Sequence, residues 1–562
     1  MTLVVAPCFS LTILFGLLAC QSLSIDSQTY NVVTLYNANG QVAGYTYPDG
    51  KQVTRSYHAD GQLHEVHHDG NLVDRRIYDS AGRMTRSTYG NGVVTDHDYN
   101  ADNTLTSITH SGTGSAIGDY SYTWDVNKNK LSETITGVMS GYGFDNTAYD
   151  TEDRLTGWNR DDNNLDQSWN LSLVGDWNNI TENGNVQSRT HGPTHELLTA
   201  DSQSVTHDAK GNMTLIPASL RPNALSLTWD QDNRMSSAST DGNTVTHRYD
   251  ALGRRVARNN DIYVQVGQQT VADYVSGTTS TTPAYTYVYA SYIDEPVVRA
   301  EIGGLRYYHR NQQYSITALT DSSGNVTERY AYTAYGTPAV TDGVGATLTT
   351  SADSNRYTYT GREWDDALDL YHFRARMYDP FGGRFVSVDP IKYWDGANLY
   401  RSYFSVKSVD PSGKRTDFFN NNRQCFKCQD MIDRYEAGHG GIIIVQPTFE
   451  KGPNKKGCTI LLQCKQNCGP NDPFGSVPDM TPDDIKRVGH IPICLKIGMT
   501  PLDFRAILEH ELQHAKDICH TNPENLKGCQ RCVWYEERGC RSLVADGILV
   551  ILTHKPSAFK TT

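Results

Sequence analysis

The chain has 562 residues, with 63 Asp and Glu against 50 Lys and Arg, and a formal net charge of −13. That acidic balance, without a basic stripe, argues against an electrostatic nucleic-acid binder, and no nucleic-acid partner is expected. The length exceeds a single ordinary domain, and the chain divides by composition near residue 410. Of 34 Tyr, only Tyr435 and Tyr535 follow Gly413, whereas ten of 12 Cys do, and residues 21–413 contain no Cys. Residues 414–562 carry 20 Lys and Arg against 17 Asp and Glu, leaving 30 against 46 for the rest.

The first element is an apolar leader, Leu3 to Leu18, closed by Leu17-Leu18-Ala19-Cys20. It is too short for a membrane span and reads as a secretory signal over residues 1–20. Its end resembles a bacterial lipobox, in which Cys20 would carry the lipid. The expected location is therefore secreted or cell-surface, with membrane attachment through an N-terminal lipid only.

A repeat follows. Tyr36, Tyr47, Tyr57, His68, Tyr78, Tyr89 and Tyr99 are spaced 10 or 11 apart, and turn residues follow nearly every one, as in Asp49-Gly50, Asp60-Gly61, Asp69-Gly70 and Asn91-Gly92. Asn-Gly and Asp-Gly tolerate the positive φ of tight hairpin turns. About ten residues per strand plus turn predicts hairpins of near-constant length, stacked into one extended sheet because a single hairpin cannot bury its own face. Tyr78-Asp79-Ser80-Ala81-Gly82-Arg83 and Tyr249-Asp250-Ala251-Leu252-Gly253-Arg254 resemble YD repeats, which span 27–300. Tyr307 to Pro338 and Tyr359 to Pro390 resemble the Rhs repeat-associated core, at 301–413. The resemblance implies a mainly β protein: a hairpin ribbon wound into a shell, as in Rhs toxins, insecticidal toxin-complex components and teneurins. It also implies a variable C-terminal toxin domain enclosed by the shell.

Rhs toxins cut their own chain at the end of the core, using aspartates near paired Asp-Pro motifs. Asp389-Pro390 and Asp410-Pro411-Ser412-Gly413 resemble those motifs, with Arg384 upstream. The resemblance makes Asp389 and Asp410 candidates for cleavage just after Gly413. Two carboxyls can divide acid and base roles when one stays protonated. The bland alternative is that both Asp-Pro pairs only shape turns.

Residues 414–562 are expected to form a smaller, Cys-rich α+β domain. His510-Glu511-Leu512-Gln513-His514 follows Thr500-Pro501-Leu502-Asp503, an N-cap with Pro at the first helical position. On a helix, His510 and His514 share one face and can bind one Zn²⁺, with Glu511 as the base acting on a zinc-bound water. A third ligand is needed. His520 lies six residues after His514, the spacing of metzincins, but Asp517 stands where they use Gly. Glu536 and Glu537 lie 22 and 23 residues after His514, on a second helix expected over 530–546. His510-to-His520 and Cys529-to-Cys540 also resemble a mitochondrial metallopeptidase family. That likeness favours Glu536 as ligand and places Asp517 behind His514. A protein or peptide substrate, and an immunity protein as partner, are expected. Cys425-x-x-Cys428 and Cys529-x-x-Cys532 read as disulfide cysteines in an exported protein, or as a four-thiolate zinc site. A rival reading is a non-enzymatic adhesion protein with a disulfide-stapled tail.

Overall fold

A computed structural model describes residues 20–414, apart from 113, 276–277 and 403–404, together with the backbone of short strands between Asp417 and Leu552. The chain divides into two compact units, Met1–Phe419 and Asn420–Thr562. Among the described residues of the first, an 18-stranded sheet runs from Cys20–Ile25 to Gln203–Ser204, and a 15-stranded sheet from Thr206–His207 to Thr347–Leu348. Within each, nearly every strand pairs antiparallel with its neighbour in sequence, giving the expected hairpin ribbon.

The turns explain the repeat. Asp69-Gly70 makes a two-residue turn, with His68 opposite Asn71. The turns after the repeat tyrosines are five residues long instead. Tyr57 pairs with Leu63, Tyr78 with Met84, Tyr99 with Leu105 and Tyr249 with Arg255, each at a β-bulge. In the YD form the aspartate organises the loop. Oδ1 of Asp250 accepts the N–H groups of Leu252 and Arg254, and Oδ2 accepts Arg254 Nε at 2.7 Å. Gly253, at φ +76, takes the left-handed position that Gly occupies without strain; Asn103 and Asp153 fill it elsewhere. The tyrosine ties one hairpin to the strand before it: the hydroxyls of Tyr57, Tyr99 and Tyr249 donate to the carbonyls of Val42, Met84 and Met235 at 2.6, 2.8 and 2.9 Å. The turn arginine reaches the next turn, as Arg154 does to Ser172 O (2.9 Å) and Arg254 to Gly267 O (2.9 Å). The Tyr249-to-Arg254 unit therefore hydrogen-bonds to its neighbours on both sides.

The two sheets meet through a buried core of Val, Tyr and Leu, including Val32, Val66, Val73, Val264, Val288 and Val298. Hydrogen bonds cross with it, such as Tyr47 OH to Tyr287 O at 2.6 Å and Arg55 Nη2 to Tyr289 O at 2.7 Å. A small four-stranded sheet follows (Glu363–Asp365, Leu370–Phe373, Arg376–Asp379, Arg384–Phe385), then a pair formed by Ser408–Val409 and Asp417–Phe418. Cys20 opens the first strand opposite Val33, and its sulfur is in a disulfide.

In the second unit, Ile493–Cys494, Ile444–Phe449, Cys458–Gln463 and Val550–Leu552 form a sheet whose last pairing is parallel. Cys532–Trp534 pairs antiparallel with Leu543–Ala545. This corrects the helix expected over 530–546. The Cys-Val-Trp and Leu-Val-Ala runs carry β-branched and aromatic residues, which favour a pleated surface over a helix. The helix expected from Thr500, and His510, Glu511, His514, Asp517, His520, Glu536 and Glu537 with it, lie outside the described residues, as do Cys425, Cys428 and Cys529.

Candidate active site

The two Asp-Pro motifs come together. Asp389 and Asp410, 4% and 1% exposed, share one guanidinium: Arg376 Nη2 lies 2.9 Å from Asp389 Oδ2 and 3.6 Å from Asp410 Oδ2. Arg376 comes from the strand Arg376–Asp379 and is itself buried, with its guanidinium over the Phe385 ring at 3.6 Å. The shared arginine was not anticipated from sequence. Arg384, noted upstream of the motifs, donates to His195 O at 2.5 Å and sits over the Tyr400 ring. The signal for Arg376 was the spacing Arg374-x-Arg376, which sets both arginines at one hairpin end.

Backbone bonds fix each aspartate differently. Asp389 receives the Ile391 N–H at 2.9 Å, and its own N–H donates to Leu399 O at 2.9 Å. Burial pushes the Asp389 carboxyl up, Arg376 opposes the shift, Asp410 reinforces it, and the result is about 6. Asp410 Oδ1 accepts N–H groups from Ser412, Gly413 and Lys414 at 3.2, 2.9 and 3.3 Å, an acceptor role that suits a carboxylate.

Those bonds wrap residues 412–414 around the Asp410 side chain. The strands Ser408–Val409 and Asp417–Phe418 flank residues 410–416, so Gly413–Lys414 lies within the loop of this hairpin. The Gly413 carbonyl accepts a hydrogen bond from Arg376 Nε, which polarises it. A polarised carbonyl, a carboxyl protonated up to about pH 6, and a second carboxylate touching the nitrogen of Lys414 are the parts of acid–base peptide hydrolysis.

No family model matches the chain. It is 28% identical over 233 residues to the tRNA3(Ser)-specific nuclease WapA of Bacillus spizizenii, an alignment covering 39% of this chain and 9% of that one. It is 35% identical over 117 residues to toxin subunit YenC1 of Yersinia entomophaga, covering 20% and 12%. The chain thus spans about a tenth of the length of these relatives. Among solved structures, a Photorhabdus luminescens Tc holotoxin pore with a TccC3 variant matches 72% of this chain and 23% of its own, with a TM-score of 0.58 and 19% identity. That likeness establishes the fold: a β-rich ribbon of the kind found in the toxin complex.

Proposed function

We propose that residues 20–414 form the processing shell of a secreted, Rhs-type toxin, which hydrolyses its own Gly413–Lys414 bond. The observation that carries this is Arg376, which touches Asp389, Asp410 and the Gly413 carbonyl together. Water adds to the Gly413 carbon; Asp410 takes a proton from it, and Asp389 gives its proton to the carbonyl oxygen beside Arg376. Collapse of the tetrahedral carbon breaks the C–N bond. Asp410 Oδ1, 3.3 Å from Lys414 N, returns its proton to the departing nitrogen, and Asp389 recovers one from the oxygen. The products are a Gly413 carboxyl and a Lys414 amine. Mass spectrometry of the purified full chain is expected to show two fragments, the second beginning at Lys414. A single uncut chain at every pH from 4 to 8 would refute the reading.

For residues 414–562 the reading is a zinc-dependent peptidase, supported by the His510-Glu511-x-x-His514 spacing. Two imidazoles and a carboxylate, with Glu536 as the third donor and His520 or Glu537 as alternatives, are a donor set that suits zinc, which when bound would acidify a water. Glu511 is the base for that water and Asp517 supports His514. Glu511→Gln is expected to keep one zinc per chain and lose peptidase activity by roughly 100-fold or more; undiminished activity would exclude it as the base. The second reading is an effector acting on nucleic acid, favoured by the nuclease named among the relatives. Assaying the full chain on tRNA and on peptides separates the two.

A further inference from the structure

We propose that the hairpin turn Arg374-Ala375-Arg376 is a register clamp that selects which bond is cut, with Arg374 as a positioning residue and Gly413 as the residue that determines specificity. This rests on the self-cleavage reading above and adds what decides its target. Three consecutive carbonyls of the cut segment are each held by one residue of the turn. Pro411 O accepts Arg374 Nη1, Ser412 O accepts the Ala375 N–H at 3.2 Å, and Gly413 O accepts Arg376 Nε. The segment is thus bound residue by residue, as a protease holds the stretch before a scissile bond; the three acceptors are backbone carbonyls, so the register itself is set by the glycine that fits against the turn.

Arg374 is built for this position. It sits at φ +52, a left-handed conformation that non-glycine residues adopt with strain, in the connection between Leu370–Phe373 and Arg376–Asp379. Its guanidinium is held as a fork: Nη2 lies 2.5 Å from Asp294 Oδ1, Nη1 lies 3.2 Å from Asp294 Oδ2, and Nε donates to Gln268 O at 3.0 Å. Asp294 is 3% exposed and is anchored in turn by Arg362 Nη1 at 2.6 Å. This chain of contacts ties the carbonyl of Pro411 to the 15-stranded sheet. Lysine could supply the charge at 374 but not the fork.

Gly413 closes the clamp. At φ +68 it presses on the turn so closely that a Cβ there would stand 1.9 Å from the Phe373 carbonyl oxygen and 3.1 Å from the Arg376 nitrogen. Both contacts are backbone and cannot swing aside. Any other residue would move the carbonyl off Arg376, so the clamp accepts glycine alone at the cut.

The test follows release of the fragment beginning at Lys414 in the full chain. Arg374→Met is expected to slow release at least tenfold, with Arg374→Lys recovering part of the rate, and neither moving the pH midpoint set by Asp389. Gly413→Ala is expected to give no such fragment, and it keeps the proposal testable should the Arg374 variants fail to fold. If wild type releases the fragment and Arg374→Met or Gly413→Ala releases it equally fast, the clamp is wrong while self-cleavage stands. If wild type never releases it, self-cleavage itself fails.

Discussion

Asp389→Asn is expected to leave the purified chain as one piece under conditions where wild type yields two. The amide keeps the shape of the side chain and can still accept from the Ile391 N–H, but it has no proton to give to the Gly413 oxygen, and the rate should fall by roughly 100-fold or more. The pH dependence separates a chemical role from a structural one. With its carboxyl at about 6, Asp389 is the acid only while protonated, so release should be fastest below pH 6 and fall by about tenfold per unit above it. An Asp389→Asn chain that is cut as fast as wild type, or a wild-type rate that rises from pH 6 to 8, would remove Asp389 from the mechanism. Because Arg376 opposes the effect of burial, Arg376→Met should raise the Asp389 carboxyl further while removing the polariser of the carbonyl. Its residual rate should therefore be low at every pH.

What was legible in the sequence was what is local. The Tyr-Asp-x-x-Gly-Arg turn contains its own aspartate cap, its own left-handed glycine and its own arginine within six residues, so its period announces the ribbon. The two Asp-Pro motifs were legible as a pair, and the structure brings Asp389 and Asp410 onto one guanidinium. The identity of that guanidinium was not legible. Arg384 lies five residues before Asp389 and Arg376 thirteen before, and only the fold of the small sheet shows which one faces the carboxylates. Asp294 was further out of reach, because its link to Arg374 spans 80 residues and depends on how the 15-stranded sheet packs. The helix expected over 530–546 failed for a different reason. Ligand spacing asked for a helix there, while Cys532-Val533-Trp534 and Leu543-Val544-Ala545 carry strand-forming side chains, and local preference prevailed.

Glu295→Ala should unfold the first unit more readily than removing any surface ion pair. Glu295, 2% exposed, receives Arg76 Nη2 at 2.6 Å from the 18-stranded sheet and Arg310 Nη2 at 2.5 Å from the 15-stranded sheet, and Arg76 also binds Asp74 at 2.6 Å. Removing the carboxylate leaves two guanidinium groups buried without it, a change that costs about 3–5 kcal/mol, whereas an exposed pair such as Arg86 with Asp96 contributes about 1 kcal/mol or less. Burial alone would raise the Glu295 carboxyl, but Arg310 and Arg76 outweigh it and hold the group at about 2. A carboxyl depressed in the folded state adds stability that is fully present above the unfolded value of 4.5 and is lost as pH falls toward 2. The wild-type chain should therefore lose stability over that interval, and Glu295→Ala should lose less of it over the same range. Urea unfolding in the Asp389→Asn background, where the chain stays whole, measures both. A Glu295→Ala chain as stable as its parent at pH 7 would show that the network joins the two sheets without stabilising them.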